Sequence, residues 1–111
     1  MTSKLLIIIA SENPEVIKTA LTYTYTAYKE RWLDDIKLVF FGPSEKTLAK
    51  EEELQPTISK LQREGIIPLA CKAVAQEENI EEKLIDLGIT VEYIGSYISQ
   101  KIREGYQTQV W

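Results

Sequence analysis

The sequence predicts an α/β fold, a three-layer α/β/α sandwich built on a mainly parallel sheet of five strands. Two observations carry this prediction. Short apolar runs rich in isoleucine and valine alternate with segments of helical periodicity, and several helical segments end at a glycine that is followed at once by strand-like sequence. Strands separated by helices imply parallel crossover connections. With 111 residues, 44% of them hydrophobic, residues 1–111 fit one domain with one core.

The first strand and the first helix have the clearest signals. Residues 4–10 form a continuous apolar run, which is typical of a strand covered on both faces. Asn13 supplies a helix cap and Pro14 a suitable first helical residue. Residues 22–26 alternate like a strand, but the cap, the length of the segment and the basic residues near its end favour a helix.

The remaining elements follow from turn residues. Residues 36–41 predict the second strand, residues 42–44 the turn after it, and the helical region that follows should break near Pro56. Three helices are predicted to end at Gly65, Gly88 and Gly105, because glycine suits the left-handed helix terminus. The strands predicted after these glycines are 66–70, 89–94 and 106–111. The last of them alternates polar and apolar residues, so we expect it at an edge or under a partner subunit.

The composition excludes several classes of function. The net charge of −4 comes from 13 basic and 17 acidic residues scattered along the chain, which argues against nucleic acid and anionic membranes as partners. No apolar run approaches the roughly 18 residues of a membrane span, and the first run reads as a strand rather than a signal peptide, so we expect a cytoplasmic protein. The absence of histidine excludes imidazole catalysis and imidazole metal sites. We expect no cofactor and no metal.

The residues that follow the strands define the candidate site. In open parallel sheets, ligands bind beyond the carboxyl ends of the strands, where loops from different crossovers converge. The residues that this rule selects are Ser11, Glu12, Asn13, Gly42, Pro43, Ser44, Cys71, Lys72, Gly95 and Ser96.

Cys71, the single cysteine, has two interpretations. A thiol at the start of a helix and beside Lys72 is in surroundings that favour the nucleophilic thiolate. Alternatively, Cys71 is a small buried hydrophobe that closes a strand, and composition alone favours this second interpretation. One cysteine excludes an internal disulfide and a Cys-x-x-Cys pair, so any thiol chemistry needs another molecule.

Other polar residues have simpler interpretations. Asn13 and Ser44 are at least as well explained as helix caps, and Asn79 with Glu82 matches a capping box for a helix over 80–87. The aromatic residues of the first helical segment, at helical spacing, favour the core or a subunit contact over a cofactor site. These are Tyr23, Tyr25, Tyr28 and Trp32.

Four segments in order resemble the DsrE/DsrF-like proteins of sulfur relay systems. They are FFGPSEKTL at 40–48, GIIPLACKAVA at 65–75, LGITVEYIG at 87–95 and REGYQTQVW at 103–111, and the similarity extends over nearly the whole chain. The resemblance implies an α/β/α sandwich with five strands that assembles into trimers or hexamers. It also implies that a cysteine after a central strand carries sulfane sulfur as a persulfide, and Cys71 matches that position.

The sequence departs from the family in one segment. Residues 76–79 place acidic side chains where some sulfur-carrying members have a basic residue and a glycine. This departure puts the usual partner in doubt. Some family members also lack the cysteine and serve as structural subunits.

Three hypotheses follow. The first is a cytoplasmic sulfur-relay protein, possessing sulfurtransferase-like chemistry, that carries sulfane sulfur on Cys71 and passes it to a partner thiol. The alternative is a noncatalytic oligomeric subunit or small-ligand-binding module of the same fold with an inert Cys71. The third is redox sensing by oxidation of Cys71 to sulfenic acid. We also expect a homo-oligomer, a trimer or hexamer, with sulfur donor and acceptor proteins as partners under the first hypothesis.

Overall fold

A five-stranded, all-parallel sheet forms the centre of the molecule. The computed structural model describes residues 2–111. Its strands are β1 (Lys4–Ile9), β2 (Asp35–Phe40), β3 (Leu69–Cys71), β4 (Thr90–Glu92) and β5 (Gln107–Val110). Their order across the sheet is β4-β3-β2-β1-β5, and every neighbouring pair is parallel.

Helices cover both faces of this sheet, which confirms the predicted three-layer sandwich. They are α1 (Pro14–Lys29), α2 (Pro43–Lys50), α3 (Gln55–Arg63), α4 (Lys72–Glu77), α5 (Glu81–Asp86) and α6 (Ile94–Arg103), with a 3-10 turn at Glu52–Leu54. The first five helices pack into one core cluster, whereas α6 packs into a second cluster on the opposite face. Within residues 2–111, no helix combines the length and apolar character needed to cross a membrane.

The interior strand β1 divides its side chains between the two clusters. Leu5, Ile7 and Ile9 belong to the larger cluster, and Leu6, with Ile8 packed against it, belongs to the smaller one. Successive side chains of a strand point to opposite faces, so an uninterrupted apolar run suits only a strand covered on both sides. The prediction for this run is confirmed, with the strand ending at Ile9 rather than at residue 10.

Local signals also set the helix boundaries correctly. The Asn13 side chain accepts a hydrogen bond from the amide of Glu15 at 2.8 Å, and Pro14 is the first residue of α1. Residues 22–26 are helical, and the buried Thr24 hydroxyl donates to the carbonyl of Ala20 at 2.7 Å. The predicted break near Pro56 is confirmed, because α2 ends at Lys50 and Pro56 lies in the first turn of α3.

Strand lengths were predicted less well. β3 starts at Leu69 rather than at residue 66, since Pro68 has no amide hydrogen to donate to a neighbouring strand. It also extends one residue further than predicted, so Cys71 is its last residue. β2 lies one residue earlier than predicted, and β4 and β5 are shorter than 89–94 and 106–111. The edge position predicted for β5 is confirmed.

Two predicted helix caps are wrong. Asn79 has a left-handed backbone conformation with φ of 57° after α4, and α5 is preceded by Ile80 without a side-chain cap. Ser44 lies inside the first turn of α2, which is preceded by Gly42. Both sites illustrate that tertiary packing can move a helix start by one or two residues.

Tyr106 fixes the approach to β5. Its hydroxyl donates a hydrogen bond to the Asp35 carboxylate at the start of β2, and its ring has the ammonium groups of Lys4 and Lys101 at 5.5 Å from the centroid. Burial, followed by the bond to Asp35, raises the pKa of the Tyr106 hydroxyl, so the group remains a neutral donor. These contacts hold β5 beside β1, although the two strands are far apart in the sequence.

The three predicted glycine termini provide a test. Gly88 and Gly105 have φ of 84° and 94°. Replacing either glycine by alanine should lower the free energy of unfolding by about 1–2 kcal/mol. At Gly88 the added Cβ would also lie 2.5 Å from Nε2 of Gln62, whereas Gly105 faces open space. Gln62 donates to the Gly88 carbonyl at 2.9 Å, so Gly88→Ala should cost about 1 kcal/mol more than Gly105→Ala. Urea unfolding of both variants measures this difference, and equal losses would contradict it.

Candidate functional site

The end of β3 lies at a switch point of the sheet. The connection that leaves β3 enters α4 on the face with five helices, whereas the connection that leaves β4 enters α6 on the other face. Adjacent strands whose connections leave to opposite faces open a crevice at their carboxyl ends, where open α/β sheets bind ligands. Cys71 ends β3 and caps α4 at this point, and Tyr93 caps α6.

The side chain of Cys71 is buried. It is 6% exposed and belongs to the smaller core cluster, together with Leu6, Val39, Ile94 and Tyr106. Its neighbour Ala70 belongs to the larger cluster on the other face. The strand therefore directs the thiol under α6, into surroundings that match the prediction of a small hydrophobe closing a strand.

Glu45 is a buried carboxyl group that sequence reasoning missed. The residue is 0% exposed, and its Oε2 atom accepts a hydrogen bond from the amide of Gly42 at 3.1 Å. Its Oε1 atom is buried and has no hydrogen-bond partner among the described residues. A signal existed, since glutamate at the third position of a helix commonly reaches back to the capping amide. What the sequence did not reveal is that this glutamate is buried.

Burial changes the acidity of Glu45. Loss of water around the carboxylate raises its pKa to about 7, while the backbone amides of Gly42 and Cys71 act in the opposite direction. The carboxyl group can therefore hold or release a proton near neutral pH. In a chain without histidine, such a group is chemically distinctive.

Ser44 connects two of the loops that were predicted to converge. Its hydroxyl is buried and donates to the carbonyl of Ile9 at 2.5 Å, and its amide donates to the carbonyl of Ala10. The Thr47 hydroxyl adds a bond to the carbonyl of Glu12 at 2.6 Å. The loop after β1 is thus attached to α2, which carries Glu45 towards the end of β3.

Several predicted site residues have structural roles. The amide of Asn13 donates to the Ser11 hydroxyl at 3.1 Å, and the Asn13 side chain caps α1. Gly42 and Pro43 begin α2. Gly95 and Ser96 are exposed in the first turn of α6, on the face opposite α2.

Lys72 makes its charged contact with an aromatic ring. The ammonium lies 5.8 Å from the centroid of Tyr93, which follows β4. A cation over an aromatic face is favourable by about 0.5–1 kcal/mol at an exposed site. Lys72 therefore bridges the ends of β3 and β4.

The surface clefts lie away from the thiol. Two clefts, of 360 and 460 Å³, border α1. Three others lie near α3 (170 Å³), near β2 (340 Å³) and near α5 (450 Å³). None of these five is lined by Cys71. Residues 2–111 also contain no group of three or more acidic, cysteine or histidine side chains arranged to hold a metal ion.

The raised pKa of Glu45 predicts a pH-dependent stability. The folded state binds this proton more tightly than the unfolded state, so protonation of Glu45 stabilises the folded protein. This stabilisation is complete below the unfolded pKa of 4.5 and is lost as pH rises through about 7. Glu45→Gln cannot ionise, so its free energy of unfolding should not show this loss. Relative to wild type, it should rise by about 2–3 kcal/mol from about pH 5 to about pH 8. Urea unfolding at both pH values measures this gain. Glu53→Gln, at an exposed glutamate, is the control, and an equal response in both variants would contradict the prediction.

Solved structures with the same fold span a range of organisms. The structure of BT1422, a conserved protein of unknown function from Bacteroides thetaiotaomicron, has a TM-score of 0.90 at 24% identity over 98% of this chain and 95% of its own. The ychN protein from E. coli reaches 0.75 at 13% identity over 99% and 100%. MTH1491 from Methanobacterium thermoautotrophicum, also of unknown function, reaches 0.70 at 13% over 98% and 99%.

Sequence comparison adds no further relative. No protein-family model matches the chain. No curated protein matches it either. At these identities the structural similarity establishes a shared fold over nearly the full length of each chain.

Proposed function

We propose that this chain is a DsrE/DsrF-like sulfur-relay protein that carries sulfane sulfur as a persulfide on Cys71 and passes it to a partner thiol. The observation that supports this proposal is the position of Cys71, the last residue of β3, at the carboxyl end of a strand whose neighbour sends its connection to the opposite face. The buried carboxyl of Glu45, whose pKa is raised to about 7, lies on α2, the helix that follows the neighbouring strand β2. The four segments that resemble the family agree with this assignment.

The proposed chemistry needs one cysteine from this chain. The Cys71 thiolate attacks the outer sulfur of a donor persulfide, the donor S–S bond breaks, and the donor leaves as a thiolate. The acceptor thiolate then attacks the outer sulfur on Cys71, whose own sulfur leaves as a thiolate. Each step exchanges one S–S bond for another, so no external oxidant or reductant is consumed. A resolving cysteine within the chain is unnecessary.

Access to the sulfur requires a local rearrangement in the isolated chain. Cys71 is 6% exposed and lies beneath Ile94, the first residue of α6. We expect α4 or the start of α6 to move when a donor docks, because α4 is a short helix of only six residues. The Lys72 contact with Tyr93 bridges the ends of β3 and β4 and would break in the same movement.

Mass spectrometry tests the carrier proposal. After exposure to a persulfide donor and removal of the excess, the wild-type protein should gain one sulfur atom that dithiothreitol removes. Cys71→Ala and Cys71→Ser should both gain none, because neither has a thiolate to attack the donor. A wild-type protein that remains unmodified in its native state would contradict the proposal.

A second candidate function is favoured by the burial of the thiol. At 6% exposure among aliphatic side chains, Cys71 also suits a noncatalytic subunit or small-ligand-binding module with an inert cysteine. Alkylation by iodoacetamide separates the two functions. Reaction only after unfolding supports the inert subunit, whereas reaction in the native state supports the carrier.

We also propose that the chain forms a homo-oligomer, a trimer or hexamer, through the sheet face that α6 covers. This face has one helix where the other has five, and β5 leaves one edge unpaired. Large apolar side chains are exposed there, among them Val110 at 70% and Ile102 at 54%. Exposed edges and apolar patches of this kind are commonly covered by another subunit.

Light scattering tests the oligomer. The wild-type mass should equal three or six chains, and Val110→Glu should lower it because a buried unpaired charge opposes association. Ile85→Glu is the matched control, since Ile85 is 53% exposed but lies on α5 in the other layer. A wild-type monomer at high concentration, or the same mass change in both variants, would contradict this interface.

A further inference from the structure

The strand β2 has a partner along its whole length on one side only. It pairs with β1 over all six of its residues, but it pairs with β3 only at Val39 and Phe40. β3 begins at Leu69, and the segment 65–68 that leads into it makes no backbone hydrogen bond to β2. Residues 35–38 therefore form an open strand edge on the β3 side.

The unpaired backbone groups of this edge belong to Ile36 and Leu38. The amides of Asp35 and Phe41, at either end of the strand, both donate to the β1 side. Successive amides of a strand point to opposite edges, so the amides of Ile36 and Leu38 point to the β3 side. No backbone carbonyl of residues 2–111 accepts a hydrogen bond from either amide. Two main-chain donors are thus left without a main-chain partner.

A cleft of 340 Å³ lies along the open edge. Besides residues 35–38, its walls include Tyr28, Ile67, Leu69 and Tyr97. Ile67 is 50% exposed and Tyr28 is 42% exposed, so two large apolar side chains remain uncovered at the cleft. The volume is near the lower end of the range of about 300–1,000 Å³ for ligand pockets. The cleft therefore combines unpaired main-chain groups with uncovered apolar side chains.

The charges of the cleft do not favour a charged occupant. Its two charged residues are Asp35 and Lys37, whose side chains form an ion pair at 3.8 Å. The Asp35 carboxylate also accepts the hydrogen bond from Tyr106. Because the two charges have opposite signs and already pair with each other, the walls suit an uncharged segment with apolar side chains.

We infer that this cleft binds an extended peptide segment of another protein, which adds to β2 through main-chain hydrogen bonds at Ile36 and Leu38. Peptides bind to open strand edges in this way, with affinity from the main-chain bonds and specificity from pockets for alternate side chains. At about 3.3 Å per residue, roughly two or three peptide residues span the edge. Their apolar side chains would contact Tyr28 and Ile67.

The occupant comes from outside this chain. All five strands of residues 2–111 are already paired within the sheet, so neither this chain nor a second copy offers a free strand among these residues. The cleft lies beside the first half of β2, whereas Cys71 is at the carboxyl end of β3. Peptide binding is therefore separate from thiol chemistry, and neither proposal requires the other.

Hydrogen exchange of the free protein tests the open edge. The amides of Ile36 and Leu38 should exchange faster than those of Lys37 and Val39, because the latter two donate to β1. Equal protection of all four amides would show that the edge is closed and would overturn the inference.

An acetylated pentapeptide of alternating threonine and valine tests the occupant. At saturation it should slow exchange at Ile36 and Leu38 by at least roughly tenfold and leave Lys37 and Val39 unchanged. The same peptide with N-methylated amides cannot donate main-chain hydrogen bonds, so it should bind at least roughly tenfold more weakly. Equal binding of the two peptides, or no protection by the first, would overturn the inference.

A pair of variants tests the position of the peptide. Ile67→Glu places a charge on the wall of the cleft and should weaken binding of the pentapeptide by at least roughly tenfold. Ile85→Glu is the control, because Ile85 is similarly exposed and does not line the cleft. The same affinity in both variants would contradict binding at this edge. The N-methylated peptide keeps the test valid if Ile67→Glu fails to fold.

A second copy of the chain would give a different result. If it fills the cleft, exchange at Ile36 and Leu38 slows as the protein concentration rises without peptide, and that result would overturn the choice of another protein as the partner. None of these measurements uses a sulfur donor or Cys71, so failure of sulfur carriage and failure of peptide binding are distinguished.

Discussion

The handedness of parallel crossovers determines on which face of the sheet each helix of this chain lies. Connections between parallel strands are right-handed in nearly all proteins, so consecutive strands added in one direction place their helices on one face. β1 to β4 are added in one direction, and α1 to α5 accordingly lie together. The step from β4 back to β5 reverses direction and places α6 alone on the other face. The switch point at the ends of β3 and β4 and the thinly covered sheet face both result from this one reversal.

A buried carboxyl group has a cost that the fold must tolerate. Ionised carboxylates are strongly disfavoured away from water, and proteins respond by pairing them or by raising their pKa. In this chain the amides of Gly42 and Cys71 offset only part of the loss of water around Glu45, and the pKa reaches about 7. The protein therefore retains a group in the first turn of α2 that stability alone would not select. Such sites are commonly functional.

The shared fold and the proposed function depend on different features. BT1422, ychN and MTH1491 align with nearly the whole chain at 13–24% identity, so the architecture tolerates extensive change in sequence. A fold alone hosts many activities, and function depends on the groups attached to it. Under the proposed function, the essential group of this chain is the single thiol of Cys71. Sulfur carriage and an inert subunit differ only in whether that thiol becomes accessible.

The sequence by itself determined the features that depend on local interactions. The apolar run of β1, the cap of α1 at Asn13, the break before α3 and the glycine termini all arise from neighbours in the chain, and all were predicted. It also placed Cys71 at a strand end. Tertiary structure alone decided the strand order, the burial of Glu45 and the bond from Ser44 to the carbonyl of Ile9. These depend on segments far apart in the chain, whose contacts leave no local pattern to read.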